Sequence, residues 1–264
     1  MNSLKESFER KASEKRAGFI PFIVAGDPDL ATTGRLLLGL SKLEPVAIEV
    51  GVPFSDPTAD GPVIQRAAQR SLAKGTSLAG ILNLLKSFAP NELAQIVLFS
   101  YYNPIFQFGM AKFARAAAEC EVAGVLVVDL PAEAAAPLQE QLRRKKIDLI
   151  FLVTPTTTNL RLKQIARLAS GFIYAVARTG VTGTARELRD ESESLVARIH
   201  ALTNLPVAVG FGITNRAQAR RVCRYADAAV VGSRLVAEIE AASGKATNRA
   251  EVVRAAIECA RQFV

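Results

Sequence analysis

Apolar and polar positions divide the chain into two kinds of segment. Short continuous runs rich in Val, Ile and Ala predict buried β-strands, and longer segments with apolar residues at helical spacing predict helices. The predicted strands are Gly18–Ala25, Val46–Gly51, Ala94–Tyr101, Gly124–Asp129, Ile147–Val153, Gly171–Ala177, Pro206–Gly210 and Ala228–Val231. The predicted helices are an N-terminal one within residues 1–16, then Ala31–Lys42, Val63–Leu72, Leu78–Phe88, Met110–Val122, Ala132–Lys145, Asn159–Ala169, one ending at Leu202, Arg216–Arg224, Ser233–Ala241 and Arg249–Phe263.

The order of these segments predicts the fold class. Eight apolar strands, each followed by a helical segment, are typical of a parallel sheet covered by helices. Eight such units in 264 residues favour an α/β fold of the (β/α)8 TIM-barrel type, with an extra N-terminal helix. An open doubly wound sheet is the alternative. No linker or change of composition divides the chain, so we expect a single TIM-barrel domain over residues 1–264.

Composition narrows the function classes. The polar N-terminus does not resemble a signal peptide, and no apolar run approaches the ~18 residues that cross a bilayer, so we expect a soluble cytoplasmic protein. Three dispersed cysteines and one histidine favour no metal site. The net charge is +8, but its basic residues are scattered over predicted helices, which favours a solvated surface over a nucleic-acid site.

The stretch 46–65 carries the strongest chemical signal. Glu49 lies inside an apolar strand, where an ionised carboxylate is costly unless it is paired, hydrated or used in catalysis. If Val46, Ile48 and Val50 face the helices, Glu49 points into the barrel. Asp60 follows on a loop that prolines keep irregular. One acid on a strand and another on an adjacent loop suit general acid–base chemistry.

Glycine-rich turns indicate a phosphate site. The runs 210–215 and 231–234 follow the seventh and eighth strands and lead into helices, where backbone N–H groups can bind an anion. The sixth loop, 178–189, is long and polar, as lids often are, and its Gly183 can supply another N–H. No lysine lies in an apolar strand, and no Walker, dinucleotide or nucleophile-elbow motif occurs. These observations favour cofactor-free acid–base chemistry on a phosphorylated small molecule.

At this point the sequence resembles a known family. Four motifs occur in the order found in tryptophan synthase α subunits, and they are PF with AGDP (21–28), IEVGVPFSDPTADGP (48–62), RTGVTG (178–183) and GFGI (210–213). The resemblance implies a TIM-barrel lyase of tryptophan biosynthesis that cleaves indole-3-glycerol phosphate to indole and glyceraldehyde 3-phosphate by a retro-aldol reaction. It also implies that Glu49 protonates indole C3 and then helps to remove the glyceryl hydroxyl proton. Asp60 would stabilise the indole N–H as positive charge develops.

The same resemblance implies binding residues. Indole would pack among Phe22, Phe99, Leu126, Leu152, Tyr174 and Phe211, and Thr182 of the lid would contact Asp60. Phosphate would bind the backbone of Gly183, Gly212, Gly232 and Ser233. Thr58 departs from the family, which usually has an aliphatic residue there, and the change could alter the packing that sets Asp60.

The family works as an αββα complex in which a β subunit carrying pyridoxal phosphate receives the indole. By that resemblance the loop around Asp56, the region of Asn103 and the sixth loop would face the partner. Two other functions stay open. One is a catalytically weak regulatory subunit that activates a β partner, and the other is a related phosphate-binding barrel isomerase.

Overall fold

The computed structural model describes residues 3–14, 16, 18–176, 187–210 and 212–264, with only the backbone of residues 187–190. In these residues eight parallel strands close into a barrel in chain order. The strands are β1 (Gly18–Val24), β2 (Ile48–Gly51), β3 (Ile96–Ser100), β4 (Val122–Val127), β5 (Asp148–Val153), β6 (Ile173–Val176), β7 (Val207–Gly210) and β8 (Ala228–Val231). The predicted (β/α)8 barrel is confirmed, and the open sheet is excluded.

Helices follow the strands around the barrel. They are α1 (Leu4–Ser13), α2 (Leu30–Ser41), α3 (Pro62–Ala73), α4 (Leu78–Lys86), α5 (Tyr102–Phe108), α6 (Met110–Glu119), α7 (Ala136–Arg144), α8 (Asn159–Leu168), α9 (Glu187–His200), α10 (Arg216–Val222), α11 (Ser233–Ser243) and α12 (Arg249–Arg261). No helix in the described residues is long and apolar enough to cross a membrane. That residues 1–264 form a single domain stays a prediction.

The N-terminal helix α1 closes the bottom of the barrel. Ser3 caps it, because its hydroxyl accepts the Glu6 N–H while the Glu6 carboxylate accepts the Ser3 N–H. On its buried face, Leu4 and Phe8 join the apolar cluster inside the barrel, and the Phe8 ring lies 5.6 Å from that of Phe172. The predicted extra helix therefore seals the end of the barrel away from the strands' C-termini.

Several element boundaries differ from the prediction. The helix expected to reach Val122 ends at Glu119, because Glu121 has a φ of 55° and the chain enters β4 at Val122. The expected helix 132–145 is a short 3-10 turn followed by α7, which carries Pro137 in its first turn, where a missing N–H costs nothing.

Two further features were missed or misjudged. The short helix α5 was not predicted, and a contact distant in sequence supports its start, since the Asp129 carboxylate accepts the Tyr102 N–H at 2.7 Å. Val46 lies before β2 and belongs to the cluster inside the barrel, so the expectation that it faces the helices was wrong. Ile48 and Val50 belong to the outer cluster, as expected.

Candidate active site

Glu49 lies in the middle of the barrel interior. Its neighbours across the sheet are Phe22 on β1 and Val97 on β3. The side chain is fully buried, and neither carboxylate oxygen has a hydrogen-bond partner among the residues that the structure describes. Burial without a partner disfavours the charged form and raises the pKa of Glu49 to about 8. Glu49 is therefore largely protonated at neutral pH.

Apolar and aromatic side chains form the wall around this acid. The rings of Phe22 and Phe99 meet edge to face, with centroids 5.2 Å apart. Leu126, Leu152 and Tyr174 belong to or pack against the same interior cluster. Five of the six side chains expected to contact indole are thus brought together in the barrel, and the sixth, Phe211, lies outside the described residues.

Tyr174 on β6 packs against Gly210 of the seventh strand. A Cβ at Gly210 would overlap the Tyr174 hydroxyl, so the glycine leaves the space that this side chain occupies. Burial, and secondarily the charge of Glu49, raise the pKa of Tyr174 well above its ordinary value. The phenol is therefore neutral wherever Glu49 functions.

Asp60 lies on the loop between β2 and α3. Its backbone N–H donates to the Pro57 carbonyl at 3.1 Å, and Gln65 donates to its carbonyl at 2.8 Å. The Tyr101 hydroxyl donates to Asp60 Oδ2 at 3.2 Å. Burial raises the pKa of Asp60 to about 6, and the Tyr101 hydrogen bond partly opposes that rise. Asp60 is therefore mostly ionised at neutral pH.

Tyr101 is a site residue that sequence reasoning missed. Its hydroxyl also accepts the Ala59 N–H at 2.9 Å, and its ring packs on that of Phe54, with centroids 4.9 Å apart. The residue directly follows β3, the strand beside β2, so its side chain reaches the loop that follows β2. The position at a strand's C-terminal end was a signal, but the sequence does not show which loop the hydroxyl contacts.

The two glycine-rich turns lie side by side above the site. Gly210 on β7 and Val230 on β8 are paired, so the turns that follow them start next to each other. Gly212 has a φ of 65°, which favours glycine, and Gly232 precedes Ser233, the first residue of α11. A Cβ at Gly232 would lie 3.4 Å from the Phe22 ring. Unpaired N–H groups at the start of α11 can therefore bind an anion next to the aromatic wall.

The remaining predicted positions lie at the rim of the barrel or outside the residues that the structure describes. Thr182 and Gly183 fall in residues 177–186, which the structure does not describe, whereas residues 187–189, the end of the predicted lid, belong to the first turn of α9. Asp56 and Asn103 are exposed, as a surface that faces a partner would be before assembly. Thr58 is also exposed, and its N–H donates to the Asp56 carbonyl.

Comparisons with known proteins give the site its family context. The family model for the tryptophan synthase alpha chain matches residues 8–263. The tryptophan synthase alpha chain of Neisseria meningitidis is 44% identical over 259 residues, which cover 98% of this chain and 97% of that protein. The solved alpha chain from Legionella pneumophila aligns with a TM-score of 0.89 at 31% identity and covers 100% of this chain and 96% of its own. A chain of the tryptophan synthase α2β2 complex from Pyrococcus furiosus aligns with a TM-score of 0.85 at 36% identity, over 93% of this chain and 97% of that one.

The unpaired burial of Glu49 predicts a pH-dependent stability. The folded protein keeps the carboxyl protonated up to a pKa of about 8, whereas the unfolded chain ionises it near 4.5. Because the unfolded state binds fewer protons between these values, the free energy of unfolding of the wild type falls as pH rises through this range. The Glu49→Gln side chain cannot ionise. As pH rises across this range, the free energy of unfolding of Glu49→Gln should therefore increase relative to that of the wild type by a few kcal/mol, at about 1.4 kcal/mol per pKa unit.

Urea unfolding at several pH values between about 5 and 8.5 measures this difference. Glu9→Gln, on the exposed side of α1, is the surface control and should give a much smaller trend. Parallel curves for Glu49→Gln and the wild type would contradict an unpaired buried carboxyl.

The Tyr101 hydrogen bond predicts a change in the titration of Asp60. Tyr101→Phe keeps the ring that packs on Phe54 and removes the donor that stabilises the ionised carboxylate. The pKa of Asp60 should rise above about 6, as carbon-13 NMR of the carboxyl group can measure. Tyr102→Phe is the matched control, since the Tyr102 hydroxyl lies against Met110 Sδ at 3.6 Å and not against Asp60. An unchanged or lower Asp60 pKa in Tyr101→Phe would be the contrary result.

Proposed function

The chain belongs to the tryptophan synthase alpha chain family, and we propose that Glu49 and Asp60 are the catalytic residues of its reaction. That reaction is the cleavage of indole-3-glycerol phosphate to indole and glyceraldehyde 3-phosphate, so the chain is a carbon–carbon lyase of tryptophan biosynthesis. The observation that carries the assignment is the fully buried, unpartnered carboxyl of Glu49 among the aromatic and aliphatic side chains inside the barrel.

Glu49 supplies the first proton of the reaction. With a pKa of about 8 it is mainly an acid at neutral pH, and it can protonate C3 of the indole ring. Protonation breaks the conjugation of the pyrrole ring and leaves positive charge on the indole nitrogen. Once Glu49 has given up its proton, its carboxylate can take the proton of the glyceryl hydroxyl. The C3–C1′ bond then breaks, its electron pair returns to the ring, and an aldehyde forms.

Asp60 stabilises the charge that develops on the indole N–H. An anion at hydrogen-bond distance from that N–H becomes more favourable as the nitrogen gains positive charge, so the interaction is stronger in the transition state than in the substrate. The Tyr101 hydroxyl donates a hydrogen bond to the Asp60 carboxylate, which lowers the pKa of Asp60 and so favours its ionised form. The two carboxyl groups thus differ in protonation at the same pH because their surroundings differ.

The phosphate of the substrate binds at the two glycine-rich turns. Gly212, Gly232 and Ser233 lie at the two turns, next to the start of α11, where backbone N–H groups can bind an anion. Gly183 is proposed to bind the same phosphate, but it lies outside the described residues. Phe22 lies against Gly232 on one side and faces Phe99 on the other, so the phosphate end adjoins the indole end. That Thr182 contacts Asp60 stays a prediction from the family resemblance, because Thr182 lies outside the described residues.

The enzyme acts in the cytoplasm with a tryptophan synthase β subunit, in an αββα complex. The α2β2 title of the Pyrococcus furiosus structure supports this assembly, as do the exposed positions of Asp56 and Asn103 at the rim. Indole released in the barrel passes to the β subunit, whose pyridoxal phosphate is the cofactor of the later step. The alpha chain's own reaction uses no cofactor.

The two protonation states predict a bell-shaped pH profile of kcat/KM. Activity requires Asp60 ionised and Glu49 protonated, so kcat/KM should fall below pH about 6 and again above pH about 8. In Asp60→Asn, the kcat/KM of the remaining activity should no longer fall at acidic pH, but it should still fall at alkaline pH. A wild-type profile that rises steadily through pH 8 would show that Glu49 acts first as a base.

We expect the chemical step to be lost when the Glu49 carboxyl is removed. Glu49→Gln should lower kcat by at least about 10²–10⁴-fold, since a positioned general acid–base contributes that much. Indole release should be assayed for the full-length chain alone and with an added β subunit. Wild-type release in either state, with loss in the variant, supports the lyase. No release from the wild type in both states would instead indicate a regulatory subunit.

A further inference from the structure

A chain of ion pairs joins three elements around the site without entering it. Asp27, in the loop after β1, is only 1% exposed. Arg70 on α3 donates two hydrogen bonds to its carboxylate, at 2.9 and 2.8 Å. This fork-shaped contact satisfies an anion that would otherwise be buried at a high cost. The AGDP motif contains this aspartate, and the reaction as described above does not use it.

The same arginine also holds the helix that begins at the phosphate turn. Arg70 Nη1 donates to Glu240 Oε1 at 2.6 Å, and Arg66 donates to both oxygens of Glu240 at 2.8 and 2.7 Å. Glu240 lies on α11, whose first residue is Ser233. These hydrogen bonds and charges lower the pKa of Glu240 to about 2, so it stays ionised throughout the working pH range.

The two helices joined in this way each begin at one part of the site. Helix α3 starts at Pro62, directly after the Asp60 loop, and α11 starts next to Gly232. The loop after β1, which contains Asp27, continues the strand that carries Phe22. The network therefore connects the supports of Asp60, the aromatic wall and the phosphate turn.

Stability alone does not account for this arrangement. A buried ion pair is often no more stabilising than apolar residues of the same size, because removing both charges from water is expensive. What a three-way network does provide is a fixed geometry, since the Arg70 guanidinium has little freedom to shift when it makes a fork contact with Asp27 and a further hydrogen bond to Glu240. A site that binds two ends of one substrate depends on such a fixed separation.

We propose that Arg70 and Glu240 are positioning residues that hold the N-terminus of α11 at a fixed distance from the indole pocket. This inference rests on the proposed function, in which α11 binds the substrate's phosphate. Neither residue touches the reacting atoms. Loss of the link lets the phosphate turn drift relative to Phe22 and Asp60, and phosphate-bearing ligands lose affinity while indole does not.

Glu240→Gln is the variant that tests the link. Its amide has the same shape, but only its oxygen can accept from the two arginines, and it carries no charge. The matched control is Glu238→Gln on the same helix, with a similar side-chain exposure of 29% against 30%. Glu238 pairs only with Arg234 of α11 in the contacts described, at 2.8 Å, and does not join α11 to another element.

The measurements separate the two ends of the substrate. In Glu240→Gln the inhibition constant of glycerol 3-phosphate and the KM for indole-3-glycerol phosphate should both rise about tenfold, below the roughly 100-fold that a 1 Å misplacement can cost. The dissociation constant of indole should stay within about twofold, and kcat should change less than KM. Glu238→Gln should match the wild type. Nitrogen-15 NMR of Gly232 and Ser233 during the glycerol 3-phosphate titration gives a readout independent of activity.

Arg70→Lys is a second variant, since a lysine can keep Asp27 paired but lacks the planar guanidinium that makes the fork contact with Asp27 while it donates to Glu240. It should reproduce the selective loss of affinity for glycerol 3-phosphate. If folded Glu240→Gln keeps its affinity for glycerol 3-phosphate, or loses affinity for glycerol 3-phosphate and indole equally, the inference is overturned. The proposed function would stand in both cases. If glycerol 3-phosphate does not compete with the substrate in the wild type, the phosphate site of the proposed function fails, and the inference fails with it.

Discussion

The structure depends on keeping one carboxyl group dry and unpaired. Glu49 is surrounded by the interior of a closed barrel, and among the described residues nothing donates a hydrogen bond to it. Such a group destabilises the folded state at high pH, so other interactions in the fold must offset this cost in free energy. The apolar cluster inside the barrel and α1 beneath it do so, because they bury large side chains and seal the lower end against water. The same exclusion of water raises the pKa that makes Glu49 an acid at neutral pH.

The second carboxyl group is held by the opposite means. Asp60 lies on a loop that has no ladder hydrogen bonds to fix it, and its position comes from polar contacts instead. Tyr101 bridges the Asp60 carboxylate and the Ala59 N–H, and Gln65 holds the Asp60 carbonyl. A strand fixes Glu49 through register, whereas side chains from α3 and from the residue that follows β3 fix Asp60. The pKa values of the two acids differ because Glu49 is fully buried without a partner, whereas Asp60 is less buried and accepts the Tyr101 hydrogen bond.

Much of the fold could be predicted from the sequence, because parallel strands buried on both faces give continuous apolar runs that end at turns. Glu49 stood out for the same reason, as the carboxylate within such a run. Contacts between distant residues could not be predicted in this way. Arg70 is 43 residues from Asp27 and 170 from Glu240, and Tyr101 is 41 residues from Asp60. In the sequence these are ordinary polar residues of helices and loops, and only closure of the barrel brings them together. Helix α5 was missed likewise, because an aspartate from the next loop supports its start.

Glycines in the strands are as much a requirement of the site as its acids. A Cβ at Gly51 would lie 2.7 Å from the Phe22 ring, and one at Gly210 would overlap the Tyr174 hydroxyl. Both positions lie at the C-terminal ends of strands, where a β-branched residue would suit the sheet better. The missing side chains leave the space that the two aromatic residues occupy, and those residues form part of the wall around Glu49. The raised pKa of the acid therefore depends on which neighbouring positions have no side chain, as well as on what surrounds it.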